Sequence, residues 1–351
     1  MAVETGRRAG PARAPEKGPP PLALGAWGLL RRFLTLREGS VVVITIVVAI
    51  YFTVRTDTFA TGDNFKTLLP YFAPFAILAA GEVFLMINGE IDLSIGAVYL
   101  FAPFLFYEID NGGFPLIPAL ILAMVACMVI GLINGIFTAV VGINSFITTL
   151  GMLLAVEGFT LIITHAQPVD TPGTQVTGEM STFAKVFGGG TYSELIWALA
   201  VVIALQVVLS FTRWGLYTVA VGGNRHGAAE AGIRVRLVII RNFILCSTCA
   251  GLVGVLEAVR TTSVQPDPSG ANEVLFDGIS AAVIGGTLLA GGSGTVIGAL
   301  IGALFLGVLR DGLIIEGVNA DYLSFYLGLA IIIAMAANTY IGRVRKGSGV
   351  G

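Results

Sequence analysis

Charged side chains are scarce in this sequence. Asp, Glu, Lys and Arg make up only 12% of its 351 residues, whereas hydrophobic residues make up 55% and the mean hydropathy is +0.87. No Asp, Glu, Lys, Arg or His occurs between positions 111 and 156. A soluble domain cannot bury that much apolar surface, and one membrane-spanning helix needs only about 20 apolar residues. The composition therefore excludes an ordinary soluble domain and predicts an all-α polytopic membrane protein embedded in a lipid bilayer.

Residues that commonly bind metals or act as nucleophiles are also few. The three cysteines fall within predicted spans, without the spacing of a metal site, and His165 and His226 lie far apart in sequence. The glycine-rich stretch GGSGT (291–295) lacks the lysine of a phosphate-binding loop. We therefore predict no catalytic residue, metal or cofactor, and the formal net charge of −2 gives no sign of a nucleic-acid partner.

Ten apolar segments are long enough to be considered as membrane spans. The eighth and ninth segments share the uncharged window 278–309, which is too short for two full spans of about 20 residues each. One of these two segments is therefore expected to be short, broken or re-entrant. The ten segments are 39–54, 65–87, 92–109, 115–141, 144–164, 193–212, 237–259, 273–289, 293–315 and 321–342.

Lys and Arg are distributed unevenly among the segments that connect these spans. Residues 1–38, 213–241 and 343–346 hold fifteen of the twenty, whereas the connections on the other side hold four, and Arg310 lies within a span. Cytoplasmic connections are enriched in Lys and Arg. The three basic stretches, and with them both termini, are therefore predicted to be cytoplasmic.

The chain is predicted to have three parts. Residues 1–38 form a Pro/Arg-rich disordered tail that ends in an interfacial helix over 27–38. Residues 39–342 form the transmembrane domain, and 343–351 form a cytoplasmic C-terminal tail. No cleaved signal peptide is expected, because residues 1–21 contain no apolar run.

A short charged segment, VGGNRHGAAEAGIRVR (221–236), separates two long apolar spans. Asn224 is a favourable helix N-cap and Gly232 suits the position just past a helix C-terminus. The seven residues between them would not persist as a helix in water, so the segment should pack against another surface. The alternative is a solvated loop. The predicted contact residues are Asn224, Arg225, Gly227, Ala228, Ala229, Glu230 and Gly232.

Glycines form a second pattern near the C-terminal end. Gly294, Gly298 and Gly302 recur every four residues and so share one face of a helix, where small residues allow close backbone approach in lipid. The face is either a tight crossing within one subunit or a subunit or gate interface. The run GGTLLAGGSG (285–294) should break the helix and form a turn. The candidate packing or gate glycines are Gly285, Gly286, Gly291, Gly292, Gly294, Gly298 and Gly302.

Polar residues at the start of the third span stand out in NGEIDLSIG (88–96). A charge here is costly unless it reaches water or a partner. Asp92 and Ser94 are predicted to cap the following helix or to act as a gate near the cytoplasmic side, because a negative charge suits a helix N-terminus. A direct part in a solute path is the alternative.

Five stretches together resemble the membrane permease subunit of bacterial ABC importers for monosaccharides, the ribose/xylose/galactose group. The resemblance runs from about residue 60 to the end. Glu90 departs from the family's usual glycine, and Gly227 and Glu230 depart from its usual alanine and apolar residue. The five stretches are GEIDLSIGAV (89–98), NSFITTLGM (144–152), AVGGNRHGAAEAGIRV (220–235), SVQP (263–266) and DGISAAVIGGTLLAGGSGTVIGALIGALFLGVLRDGL (277–313).

The resemblance implies a non-enzymatic transport subunit in the bacterial inner membrane. It implies three partners: a second copy of the chain, a cytoplasmic ABC ATPase and an extracytoplasmic sugar-binding protein. Segment 221–236 would then be a coupling helix, and a monosaccharide or related polyol would enter by alternating access at the homodimer interface. The alternatives are a stand-alone facilitator or secondary transporter, and a membrane scaffold or sensor that moves no solute.

Overall fold

The computed structural model describes residues 38–176 and 179–347, about 77% of them helical. Ten helices have 15 or more residues: α1 (Gly39–Arg55), α3 (Ala73–Ile87), α4 (Ile95–Asn111), α5 (Leu116–Ile136), α6 (Ser145–Ile163), α8 (Ser193–Phe211), α11 (Val235–Thr261), α12 (Pro268–Ile284), α13 (Val296–Ile315) and α14 (Ala320–Gly347). The short helices are α2 (Gly62–Leu68), α7 (Thr182–Val186), α9 (Arg213–Gly223) and α10 (Arg225–Glu230). A 3-10 turn, Leu69–Tyr71, precedes α3, and a π turn, Phe137–Val141, follows α5.

Strands are confined to two short antiparallel pairs. β1 (Val169–Asp170) pairs with β4 (Ser263–Val264), with Val169 opposite Val264. β2 (Gln175–Val176) pairs with β3 (Glu179–Met180). The prediction of an all-α polytopic membrane protein is confirmed at the level of fold class.

Helix α3 is the centre of the bundle. Every residue from Ala73 to Ile87 is buried, because α11, α12 and α13 surround it. Alanine and glycine permit this close packing: a Cβ on Gly81 would contact Cys246 and Cys249 of α11 at 3.2 Å. All three cysteines are free and buried.

Apolar side chains also cover the outside of the bundle. Ile147 and Ile162 on α6, Ile203 and Phe211 on α8 and Ile121 on α5 are all more than half exposed. A contiguous exposed apolar surface of this kind suits lipid rather than water. Within the described part of the chain, six helical stretches are long and apolar enough to cross a membrane, namely 62–87, 116–141, 145–163, 193–211, 235–261 and 296–315.

A helix covers most of each of the ten predicted segments. Only six of the ten segments, however, contain a described helix that is long and apolar enough to cross a membrane. The count of ten spans therefore stays a prediction. Helix α4 begins at Ile95, three residues after the predicted start of the third span. Helix α12 has 17 residues, begins at Pro268 and ends at Ile284, five residues before the predicted end of its span.

The connections gather at two ends of the bundle. Turns 88–94, 142–144 and 285–295 lie with α9 and α10 at one end, called here the basic end. There the Ile91 N–H donates to Ser145 Oγ at 3.4 Å and the Gly292 N–H donates to the Ile87 carbonyl at 2.8 Å. The other end, called the opposite end, holds the β1–β4 pair and an Arg55–Glu316 ion pair of 3.1 Å.

Some predictions fall outside the described residues or gain detail within them. The N-terminal tail and the interfacial helix predicted over 27–38 lie outside, apart from residue 38. The backbone of α14 continues through Gly347, which includes the first part of the predicted C-terminal tail.

The sequence left the partner of Arg310 open. The structure pairs Arg310 with Glu273 at 2.8 Å and Asp277 at 3.2 Å, both on α12.

Candidate functional site

Helix α10 forms where the sequence predicts it, and its two ends are capped as expected. Asn224 Oδ1 accepts from the Gly227 N–H at 2.9 Å. Gly232 has φ +82°, and its N–H donates to the Ala229 carbonyl, while the Ile233 N–H donates to the Ala228 carbonyl, both at 3.0 Å. This pair of bonds is a Schellman motif, which needs a left-handed residue. The helix is therefore locally specified despite its six-residue length.

The sequence analysis missed helix α9, which directly precedes α10. Its N-cap is Thr212, whose side chain accepts from the Gly215 N–H at 3.4 Å. A Cβ on Gly215 would overlap the Leu209 backbone, so only glycine fits at this bend after α8. The signal that could have predicted α9 is a threonine cap followed by the mixed apolar stretch up to Gly223.

Arg225 turns towards the bundle rather than away from it. Its guanidinium donates to Glu90 Oε1 at 2.5 Å and to the Asn88 carbonyl at 2.6 Å. The Glu90 side chain is 8% exposed, whereas that of Arg225 is 48% exposed. The pair thus fixes the N-terminus of α10 to the turn that follows α3.

A buried asparagine connects α9 to two central helices. Asn242 of α11 is fully buried; its Oδ1 accepts from Trp214 Nε1 at 2.7 Å and its Nδ2 donates to Asn88 Oδ1 at 2.7 Å. Asn88 Nδ2 in turn donates to the Thr218 carbonyl at 2.7 Å. The Arg241 guanidinium lies 4.6 Å from the centre of the Trp214 ring. We call Trp214, Thr218, Asn88 and Asn242 the asparagine cluster.

Glycines bring three turns into backbone contact beside this cluster. A Cβ on Gly222 of α9 would overlap the Ile87 carbonyl, and one on Gly291 would lie 3.1 Å from that same oxygen and from the Gly89 nitrogen. Gly291 and Gly292 both have φ above +80°. The glycine-rich turn 285–295 therefore packs on the end of α3 and beside segment 221–236.

The glycine face of α13 packs within the same chain. A Cβ on Gly298 would overlap the Gly285 carbonyl, and one on Gly302 would overlap the Ala281 carbonyl of α12. The prediction that Gly294 shares this helix face is wrong: Gly294 lies in the turn before the N-cap Thr295, where a Cβ would lie 2.7 Å from the Thr287 side chain. Gly286, at φ +93°, reverses the chain after α12. These glycines allow α12 and α13 to cross closely as an antiparallel pair.

Asp92 and Ser94 lie inside the bundle near the basic end, and neither is exposed. Asp92 Oδ1 accepts from the Ser94 N–H at 2.9 Å and from the Ser94 hydroxyl at 2.6 Å, and Asn134 Nδ2 donates to Ser94 Oγ at 2.8 Å. The Ser94 N–H that Asp92 accepts belongs to the residue before α4, so Asp92 does not bond an N–H of the first turn of that helix. The non-helical chain at 88–94 is thus embedded in protein, where irregular backbone is tolerated at membrane depth.

The outward face of α10 is small and polar. Ala229, Glu230 and Gly232 are exposed, whereas Ala228 is buried against the bundle. Glu230 lies 3.3 Å from His226, one helical turn away, and both side chains are at least 70% exposed. Among residues 38–176 and 179–347, no group of three or more His, Cys, Asp or Glu residues is placed to hold a metal. The Arg225–Glu90 pair and the asparagine cluster connect α10 and the adjoining α9 to α3 and α11, so a displacement of α10 can be transmitted to those two helices.

Comparisons with known proteins show which protein family the chain belongs to. Residues 64–335 match the family described as branched-chain amino acid transport system / permease component. The chain is 34% identical to the xylose/arabinose import permease protein XylH of Sulfolobus acidocaldarius, over 90% of this chain and 87% of that protein. It is 31% identical to the ribose import permease protein RbsC of Escherichia coli K12, over 87% and 95%, respectively. The chain belongs to this permease family.

A further relative is the D-allose transport system permease protein AlsC of E. coli K12, 29% identical over 88% of this chain and 93% of that protein. No solved structure matches the permease. The relatives are permease subunits of sugar importers, and the resemblance predicted from the five motifs is confirmed. The permease is accordingly a transport subunit and not an enzyme.

The resemblance also singled out Glu90, because the family usually has glycine there. Glycine has no side chain with which to reach Arg225. The ion pair between Glu90 and Arg225 is therefore a contact that the usual family residue could not make. It compensates for the burial of the Glu90 carboxylate, which would otherwise be costly.

Proposed function

We propose that the permease is the membrane subunit of an ATP-driven ABC importer that moves a monosaccharide or related polyol into the cytoplasm. Its partners would be a second copy of itself, a cytoplasmic ATPase and an extracytoplasmic sugar-binding protein. The substrate class is supported by the relatives XylH, RbsC and AlsC, which are named for xylose or arabinose, ribose and D-allose, respectively. The observation that carries the coupling role is α10, a capped and exposed helix tied to the central helices by Arg225 and the asparagine cluster.

In this mechanism α10 works as a rigid lever. ATP binding brings the two ATPase subunits together, and each carries the α10 that it contacts. The Arg225–Glu90 pair passes this movement to the end of α3, and the asparagine cluster passes it to α11. The Gly292–Ile87 bond carries it on to the turn between α12 and α13. Helices at the dimer axis then alternate between opening outwards and opening inwards.

The proposed topology has ten spans, the basic end in the cytoplasm and both termini on that side of the bacterial inner membrane. A cysteine in place of Lys185 should react with an impermeant thiol reagent added to intact cells, and a cysteine in place of Arg225 should react only after lysis. The buried native cysteines keep the background low. The reverse pattern would contradict the orientation, and labelling of both positions from outside would contradict the span count.

Gly232→Ala should weaken coupling, because alanine at φ +82° is strained by roughly 1–3 kcal/mol. We expect reduced sugar uptake and weaker co-purification with the ATPase from the same membranes. Gly223→Ala is the matched control, since Gly223 lies at the end of α9 without a positive φ and an added Cβ there contacts nothing within 4 Å. Normal uptake and normal ATPase recovery with Gly232→Ala would mean that the ATPase does not act through α10.

A further inference from the structure

A cavity of about 340 Å³ lies in the half of the bundle nearer the opposite end. Helices α4 and α11 form two of its walls, and β4 with the start of α12 forms the third. Pro103, Ala258 and Ala271 supply an apolar surface, and Tyr99, Glu257 and Gln265 supply polar atoms. The volume lies at the small end of the roughly 300–1,000 Å³ that ligand pockets span.

A second cavity of about 170 Å³ adjoins the first. Tyr99 and Glu257 line both cavities, and Tyr71, Arg260 and Arg310 line the second. The two cavities are therefore neighbours that share Tyr99 and Glu257 as lining residues. Aromatic rings and planar polar side chains thus converge on one region of the bundle.

Ionisable side chains in this region lie on helices that are otherwise apolar. Arg260 lies 3.3 Å from Glu194 of α8 and also pairs with Glu257, and the three side chains are 35% exposed or less. Ionisable residues within membrane helices are rare and commonly mark a substrate pathway. Here Glu257 lines both cavities and Arg260 lines the second.

Two polar groups of the cavity are free to bind a ligand. Within the part of the chain that the structure describes, the Tyr99 hydroxyl and the Gln265 side-chain amide make no hydrogen bond to protein. Together they offer donors and acceptors on opposite sides of the cavity. A sugar ring presents hydroxyls at its rim and C–H groups on its faces, which suits polar side chains beside an aromatic ring and an apolar floor.

We infer that this cavity is a transient binding site for one monosaccharide on the import pathway, with Tyr99 and Gln265 as specificity-determining residues. The inference rests on the proposed transport function and on the opposite end facing outwards. The site receives the sugar from the binding protein while the permease is open to the outside. Its size suits a single pentose or hexose ring.

Protection of a cysteine tests the site directly. Full-length permease carrying Thr261→Cys, at an exposed residue that lines the cavity, is placed in liposomes without the ATPase and treated with an impermeant thiol reagent. D-ribose and D-xylose should slow labelling, whereas glycine, which has no ring of hydroxyls, should not at equal concentration. Gln167→Cys, also exposed at the opposite end, should label at the same rate with or without sugar. Labelling of Thr261→Cys that neither pentose slows would overturn the inference.

Tyr99→Phe, added to Thr261→Cys, should raise the half-protecting sugar concentration roughly three- to tenfold, as expected for the loss of one uncharged hydrogen bond. Tyr322→Phe, exposed at the same end, is the matched control and should leave it unchanged. An unchanged value with Tyr99→Phe would overturn the role of that residue. ATP-driven uptake without protection would refute only the site, and protection without ATP-driven uptake would refute the proposed importer.

Discussion

Replacing Gly298 with leucine should prevent α12 and α13 from packing and leave the permease unfolded in the membrane. Even a Cβ at this position overlaps the Gly285 backbone carbonyl, and backbone cannot rotate away as a side chain can. Overpacking in a closely packed interior typically costs 1–3 kcal/mol, and leucine adds three further carbons to that overlap. The chain should still insert, because leucine is more hydrophobic than glycine. Monodisperse protein after detergent extraction should be lost, as measured by fluorescence-detected size exclusion.

Gly158→Leu is the matched control for this experiment. Gly158 also lies within a membrane helix, α6, but a Cβ there contacts nothing within 4 Å. We expect normal yield and thermal stability from this variant. Full yield from Gly298→Leu would show that the face of α13 does not pack against α12.

Asn242→Leu should largely uncouple the permease. Leucine has a similar size, but it leaves the Trp214 indole N–H and the Asn88 Oδ1 without their Asn242 partner. An unsatisfied buried polar group costs about 1–3 kcal/mol, so α9 should separate from α3 and α11. We expect sugar uptake to fall by roughly tenfold or more, the factor that corresponds to about 1.4 kcal/mol, while the ATPase still co-purifies.

The control for Asn242→Leu is Asn111→Leu, an exposed asparagine at the C-terminal end of α4. It tests whether an asparagine-to-leucine change at a less constrained site affects uptake. If Asn242→Leu kept wild-type uptake at unchanged ATPase recovery, the asparagine cluster would have no part in transmission.

The caps of α10 could be predicted from sequence because both depend on nearby residues. Asn224 bonds a group three positions away, and Gly232 needs only its own backbone freedom. Helix α9 had a comparable signal in Thr212, but its mixed composition resembles a connection between spans. The spans were visible because apolar length is a property of the local sequence.

The contacts that tie α10 to the bundle could not be predicted in this way. Arg225 and Glu90 are 135 positions apart, and Asn88 and Asn242 are 154 apart. No local pattern specifies which polar residue of one span meets which residue of another. The glycine pattern at Gly294, Gly298 and Gly302 indicated a close crossing, but the partner, α12, required the fold.

ATP-driven uptake by the reconstituted importer tests the central claim most directly. The permease, its ATPase and its sugar-binding protein are placed in liposomes, and labelled pentose and hexose are followed with ATP inside. We predict uptake that needs all three components and ATP, and that Gly232→Ala reduces while Gly223→Ala does not. Equal uptake without the ATPase would contradict this account in favour of a facilitator or secondary transporter, and no uptake by the complete system would indicate a protein that moves no solute.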